Sequence, residues 1–173
     1  MTVNHNSEGT YAKYVMQDLR LPPEHASPEA VAKYERGGAK KRVHWMDGVN
    51  TPGAWQLNTS WFLAPNRAIL LGSADAPTEP NEEWKPHVHD VDEMLLFTGS
   101  DPENPWDLGG EIEMLIGGEV YILTKSSLIF LPAGLPHTTP LINRVDRPIF
   151  HFSTVLNAQY NFDAEDGRRF EAK

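Results

Sequence analysis

The stretch KPHVHDVDEMLLFTG, residues 85–99, decides how this chain is read. His87 and His89 stand at i and i+2, so a strand would turn both imidazoles to one side. Glu93 shares their parity, but four residues of straight strand would carry it ~13 Å past His89. Metal–ligand bonds are only ~2.0–2.2 Å long, so the three side chains can share one ion only if the chain turns between them. Asp90, Val91 and Asp92 supply that turn, because aspartates favour turn conformations. Glu93 then opens an antiparallel strand facing back toward the histidines. Leu95 and Phe97 continue its inward side as an apolar floor.

Outward from this stretch, the chain from about residue 43 reads as short strands rich in branched and aromatic residues. RVHWM, AWQLNTSWFLA, RAILLGSA, EMLLFTG, EIEMLIGG, EVYILTK, SLIFLPA and RPIFHFSTVL are the segments, separated by turn residues. Gly117-Gly118 predicts a two-residue hairpin. The polar run SDPENPWDLGG, residues 100–110, predicts a protruding loop. About eight strands so punctuated predict an all-β antiparallel sandwich or barrel. Before them, Ser27 as cap, Pro28 at the first helical position, Glu29 in the first turn and Gly37-Gly38 as a stop predict one helix over about 28–36. The basic AKKR, residues 39–42, reads as a solvated loop. Residues 1–42 form an arm, 43–157 the β-domain, and 158–173 a charged tail that frays.

Composition narrows the function. A chain of 173 residues fits one domain with a real core. The net charge of −9 repels phosphate backbones and anionic membranes, so neither nucleic acid nor a membrane is an expected partner. No cysteine is present, which removes disulfides, cysteine-ligated metals and thiol nucleophiles together. The polar opening MTVNHNSEGT lacks the features of a secretory signal, and a cytoplasmic location is expected.

A second cluster lies at LPAGLPHTTP, residues 131–140. Pro132, Ala133 and Gly134 make a rigid turn, with Gly134 free to take a positive φ, and His137 follows three residues later. A His-x-His pair alone is a weak signal; joined to Glu93 and a distant Pro-x-Gly-x-x-His it is a specific one. Together the two clusters resemble the two motifs of the cupin superfamily: His87, His89, Glu93 and Gly99 for the first, Pro132, Gly134 and His137 for the second. Two positions depart from that pattern. Ser126 stands where a glycine is usual, and Leu141 where an asparagine is common, with Asn143 two residues on. The resemblance implies a β-barrel of jelly-roll type, with His87, His89, Glu93 and His137 binding one divalent transition metal inside it. It also implies a homodimer, for which open sheet edges and the unassigned arm are the candidate surfaces.

Such a ligand set suits Fe(II), and Mn, Ni, Co, Cu and Zn are alternatives. His151 and Lys85 are the candidate catalytic side chains beyond the ligands, His151 from a strand that can line the cup and Lys85 by sharing the parity of His87. Glu111 and Glu113 read as an exposed face, and His44, Trp45, Trp55 and Trp61 as residues of the barrel rim. Two functions stand open. One is a metal-dependent enzyme on a small oxygenated molecule, with dioxygenase chemistry first and lyase, decarboxylase or isomerase chemistry next. The other is a non-catalytic module that binds or senses a small molecule. Fold alone does not name the substrate.

Overall fold

A computed structural model describes residues 12–73, 76–77 and 84–156. The charged tail expected to fray lies outside these residues. Alternating burial along the strands sorts side chains into an inner and an outer set, and two antiparallel sheets result. The larger has five strands in the order β1-β2-β10-β5-β8, formed by β1 (Lys40–Met46), β2 (Gln56–Phe62), β5 (Glu93–Gly99), β8 (Ser127–Leu131) and β10 (Ile149–Val155). The smaller has three, β7-β6-β9, formed by β6 (Asp107–Ile116), β7 (Glu119–Lys125) and β9 (Leu141–Val145). A minor pair, β3 (Gly72–Ser73) and β4 (Ala76–Pro77), lies apart from both.

The apolar inner faces meet in one core, in which Phe62, Phe97, Leu108, Ile112, Met114 and Ile142 are almost completely buried. This is the all-β antiparallel jelly-roll class predicted, with the difference that the sheets stay separate and do not close into a continuous barrel.

The N-terminal helix α1 spans Pro28–Glu35. Its cap is the predicted one, with Ser27 Oγ accepting from the Ala30 amide at 3.1 Å. Arg36, at φ 49°, ends it in the left-handed region, and Gly37 continues the break. Gly117 and Gly118 both have positive φ and close the β6–β7 hairpin as the sequence predicts.

Three expectations are corrected. RAILL is not a strand: Arg67–Leu71 is a short helix, α2, started by the Ile69 and Leu70 amides donating to the Asn66 carbonyl. A brief apolar run does not distinguish strand from helix by periodicity. The loop at 100–110 ends early, because Asp107–Gly110 already belong to β6, where Gly110 pairs with Val145. Finally, AKKR is not a solvated loop. Lys40 opens β1, and strand parity turns Lys40 and Arg42 inward, where both are buried.

Candidate metal centre

The first cluster does not form a strand at its histidines. Residues 85–92 run irregularly and touch the second cluster through a single antiparallel bridge between His87 and His137. The His87 amide donates to the His137 carbonyl at 2.8 Å, and the His137 amide returns the bond at 3.0 Å. The Gly134 amide donates to the His89 carbonyl at 2.8 Å, and the Ala133 amide to Asp92 Oδ1 at 2.9 Å. Gly134, at φ 79°, makes the turn that permits these bonds. Residues 85–92 bend at Asp90 and Val91, so Glu93 starts β5 on the side of the histidines.

The three imidazoles therefore converge. Their ring centroids lie 4.5 to 5.3 Å apart, and one nitrogen from each falls within 4.8 Å of the others. Glu93 Oε2 is 3.1 Å from His137 Nε2 and 3.4 Å from His89 Nε2. Glu93, His89 and His137 are buried, and His87 is half-buried. Burial pushes the Glu93 carboxyl upward, but hydrogen bonding and charge from His137 and His89 outweigh it and hold the group at about 2. Burial, reinforced by the neighbouring His137 and His89, lowers His87 to about 4 and keeps its ring neutral.

One detail tests whether these residues fit a cation. His137 Nδ1 lies 2.8 Å from the Leu135 carbonyl, which only accepts, so Nδ1 carries the hydrogen. Nε2 then faces Glu93 Oε2 at 3.1 Å. Two electron pairs at that distance repel unless a proton or a metal ion lies between them. Three imidazoles and a carboxylate suit divalent transition metals, and the Leu135 carbonyl orients His137 as outer-shell acceptors orient metal-bound histidines. The residues fit the group.

A cavity of about 360 Å³ opens beside this cluster, and His87, Glu93 and His137 line it. Leu95 supplies part of its floor, and Phe97 stacks on His151 with ring centroids 4.7 Å apart. His151 also lines the cavity. Its Nδ1 donates to the Leu96 carbonyl at 3.0 Å, leaving Nε2 as an acceptor. Burial, with the Lys40 charge second, lowers His151 to about 3.

Lys85 is exposed and does not line the cavity. Of the expected rim residues Trp45 alone lines it; Trp55 is exposed, Trp61 packs edge-on against Phe150, and His44 contacts Thr59. The sequence reading missed His25, Tyr34, Lys40, Arg42, Asn58 and Ser153, all of which face the cavity. Inward parity on β1, β2 and β10 is the signal that finds the last four.

The two departures from the resemblance have local roles. Ser126 Oγ donates to the Pro105 carbonyl at 2.7 Å and accepts from the Gly99 amide at 3.3 Å, tying β5 to the loop beside it. Asn143 bridges Arg67, Glu111 and Glu113, apart from the cavity.

Two antiparallel sheets thus bring His-x-His, Glu and Pro-x-Gly-x-x-His to one cluster. This is the arrangement that the resemblance to the cupins implies. No family model and no curated protein matches this sequence. Solved structures similar to this chain include a recombinant oxalate oxidase in complex with glycolate, at 15% identity and a TM-score of 0.44, covering 86% of this chain and 62% of that one. An RmlC-like cupin from Shewanella frigidimarina matches at 15% identity and a TM-score of 0.36, over 69% of this chain and 78% of that one. KdgF from a Halomonas species matches at 13% identity and a TM-score of 0.37, over 70% and 79%. This chain spans less than two thirds of the length of that oxidase.

Proposed function

We propose that this protein is a metal-dependent enzyme acting on a small oxygenated organic molecule, with dioxygenase-type oxidation as its reaction and Fe(II) as its metal. The observation that carries the reading is the convergence of one nitrogen each from His87, His89 and His137 within 4.8 Å of one another, with Glu93 Oε2 3.1 Å from His137 Nε2. His87, His89, His137 and Glu93 are the residues that would hold the ion. When bound, a divalent ion supplies a Lewis acid, and as iron it supplies one-electron chemistry with dioxygen.

The remaining residues act on the bound molecule. The Leu135 carbonyl fixes the His137 tautomer. His151 offers Nε2 as an acceptor to a hydroxyl or amide proton in the cavity, and its lowered pKa makes it a positioning group rather than a strong base. Leu95 gives the cavity an apolar floor, with Phe97 packed against His151. We also propose a homodimer, supported by the open, apolar edge strands β7 and β8.

The test is elemental analysis of wild type beside Glu93→Ala and His137→Ala, followed by oxygen uptake on a panel of diketones, phenols, keto acids and sugar acids. Near-stoichiometric metal in wild type, lost at least tenfold in both variants, is expected. Equal metal in all three proteins removes the ligand assignment. Equal turnover under air and argon replaces oxidation with lyase, decarboxylase or isomerase chemistry. Metal without turnover of any compound favours a binding module.

A further inference from the structure

The cavity that reaches the histidine cluster has a second wall that the metal reading does not use. Lys40 and Arg42 project from β1 into it, at 9% and 8% exposure. Among the described residues no carboxylate forms an ion pair with either. Arg42 Nε has no hydrogen-bond partner there. The contacts that are present run to aromatic side chains, and Tyr34 meets both cations with its hydroxyl as well as its ring. Arg42 Cζ lies 3.4 Å from the Tyr34 ring centroid and 4.7 Å from that of Trp45, and Lys40 Nζ lies 4.1 Å from Tyr34 and 5.1 Å from Phe62.

Magnitudes weigh against a purely structural clamp. A desolvated cation–π contact is worth about 2 kcal/mol, whereas burying an ion costs several kcal/mol even after relaxation. Here two like charges share one ring, so each also opposes the other. Burial correspondingly lowers both Lys40 and Arg42. Such a pair persists where a counter-ion enters from outside. The same wall carries neutral donors and acceptors on neighbouring strands: Asn58, hydrogen-bonded to Tyr34 and Ser153, and His151. Register places Arg42, Ser60, His151 and Phe97 in one row across β1, β2, β10 and β5, so the cationic and metal-binding ends sit on one continuous inner face.

We propose that Lys40 and Arg42 form a carboxylate-binding subsite, so that the molecule this protein takes is a small organic acid held by its carboxylate on β1 with its other end directed at the histidine cluster. The planar guanidinium matches a carboxylate, and Lys40 adds a second charge without demanding a fixed geometry. A phosphate is disfavoured, because its usual cradles are backbone amides at helix N-termini or glycine-rich loops, and this wall is made of paired strands. The cavity, at about 360 Å³, admits a small molecule only. The proposal deepens the metal-enzyme reading but uses different residues, so the two are separately testable.

The experiment titrates propionate, malonate and succinate, their neutral amides and inorganic phosphate into metal-loaded wild type, Lys40→Met and Arg42→Gln in chloride-free buffer. Calorimetry reads binding, elemental analysis reads metal, and thermal melts read stability of the same samples. Wild type is expected to bind at least one carboxylate at least tenfold more tightly than its amide and than phosphate. Each variant is expected to lose tenfold or more of that affinity while keeping its metal, with a ligand-free melting temperature equal to or above wild type. A lower melting temperature with unchanged carboxylate affinity would show an aromatic clamp and overturn the proposal. So would equal binding of acid and amide, a preference for phosphate, or no binding of any acid by wild type. Carboxylate binding lost in both variants, in a wild type that holds no metal, would sustain the subsite and sink the metal centre.

Discussion

His151 shows how one buried side chain sets a pH limit. Its ring is stacked on Phe97, bonded through Nδ1 to the Leu96 carbonyl and almost fully buried, which disfavours its charged form. Its pKa is about 3 in the folded chain against 6.5 ordinarily. Above 6.5 the ring is neutral in both states and contributes nothing to pH dependence. Between 6.5 and 3 the unfolded chain takes up a proton that the folded chain refuses, so stability falls as pH falls through that window. The slope from this group approaches about 1.4 kcal/mol per pH unit. His151→Phe removes the titration and keeps an aromatic ring, so melting temperatures between pH 7 and 5 should fall less steeply than in wild type. Parallel slopes would show that His151 titrates alike in both states. At this scale the resemblance to the two cupin motifs already singles out His87, His89, Glu93 and His137, which the structure brings together. The sequence does not name Lys40 and Arg42, because a run of basic residues looks solvated until the strand's parity is known. The bulge between Arg42 and His44 then breaks the alternation that would disclose it.

Elements explain why motif positions that touch no ligand are nonetheless demanding. A Cβ on Gly99, the last residue of β5, would stand 2.1 Å from the Asp107 carbonyl oxygen and 2.9 Å from that of Leu108. Both obstacles are backbone, so β5 and β6 would have to separate. Gly99→Ala should therefore cost about 3 kcal/mol, the upper end of ordinary overpacking, in urea unfolding. A cost under about 1 kcal/mol would mean that the strands yield freely. Asn66 plays the corresponding part for the smaller sheet. It is buried, and its Oδ1 accepts from the Ile142 amide at 2.7 Å while Nδ2 donates to the Pro140 carbonyl at 3.3 Å. Asn66→Ala strands the buried Ile142 N–H and should cost about 1–3 kcal/mol, while Asn66→Asp should recover part of the loss because its oxygen still accepts. Strand β9 escaped the sequence reading because LINRV mixes polar and apolar residues. It is held in place by Asn66, 76 residues away from Ile142, an arrangement that no local pattern reports.

The whole molecule places two chemistries in one cup and leaves an apolar flank outside it. Between β1 and β5 lie two further strands, and Glu93 stands four residues along β5 from Phe97, which shares Arg42's row, so the cationic wall and Glu93 lie well apart on one inner face. Helix α1 and its neighbours supply His25 and Tyr34 to the same cavity, so residues expected to form an arm belong to the site. On the outside, β7 and β8 are consecutive strands, each an edge of its sheet among the described residues. They carry Val120, Ile122, Leu128 and Phe130, each more than half exposed. A row of this kind on open edges invites pairing with another strand, and a second copy of this chain offers the same row under two-fold symmetry. Wild type is therefore expected to sediment as a dimer. Ile122→Asp combined with Phe130→Asp should give a monomer, because a pair of buried like charges across the axis costs more than the apolar contact returns. Neither side chain belongs to the core or the cavity, so the double variant should keep its metal and its fold. A wild type that sediments as a monomer at micromolar concentration would leave this flank without the partner proposed for it.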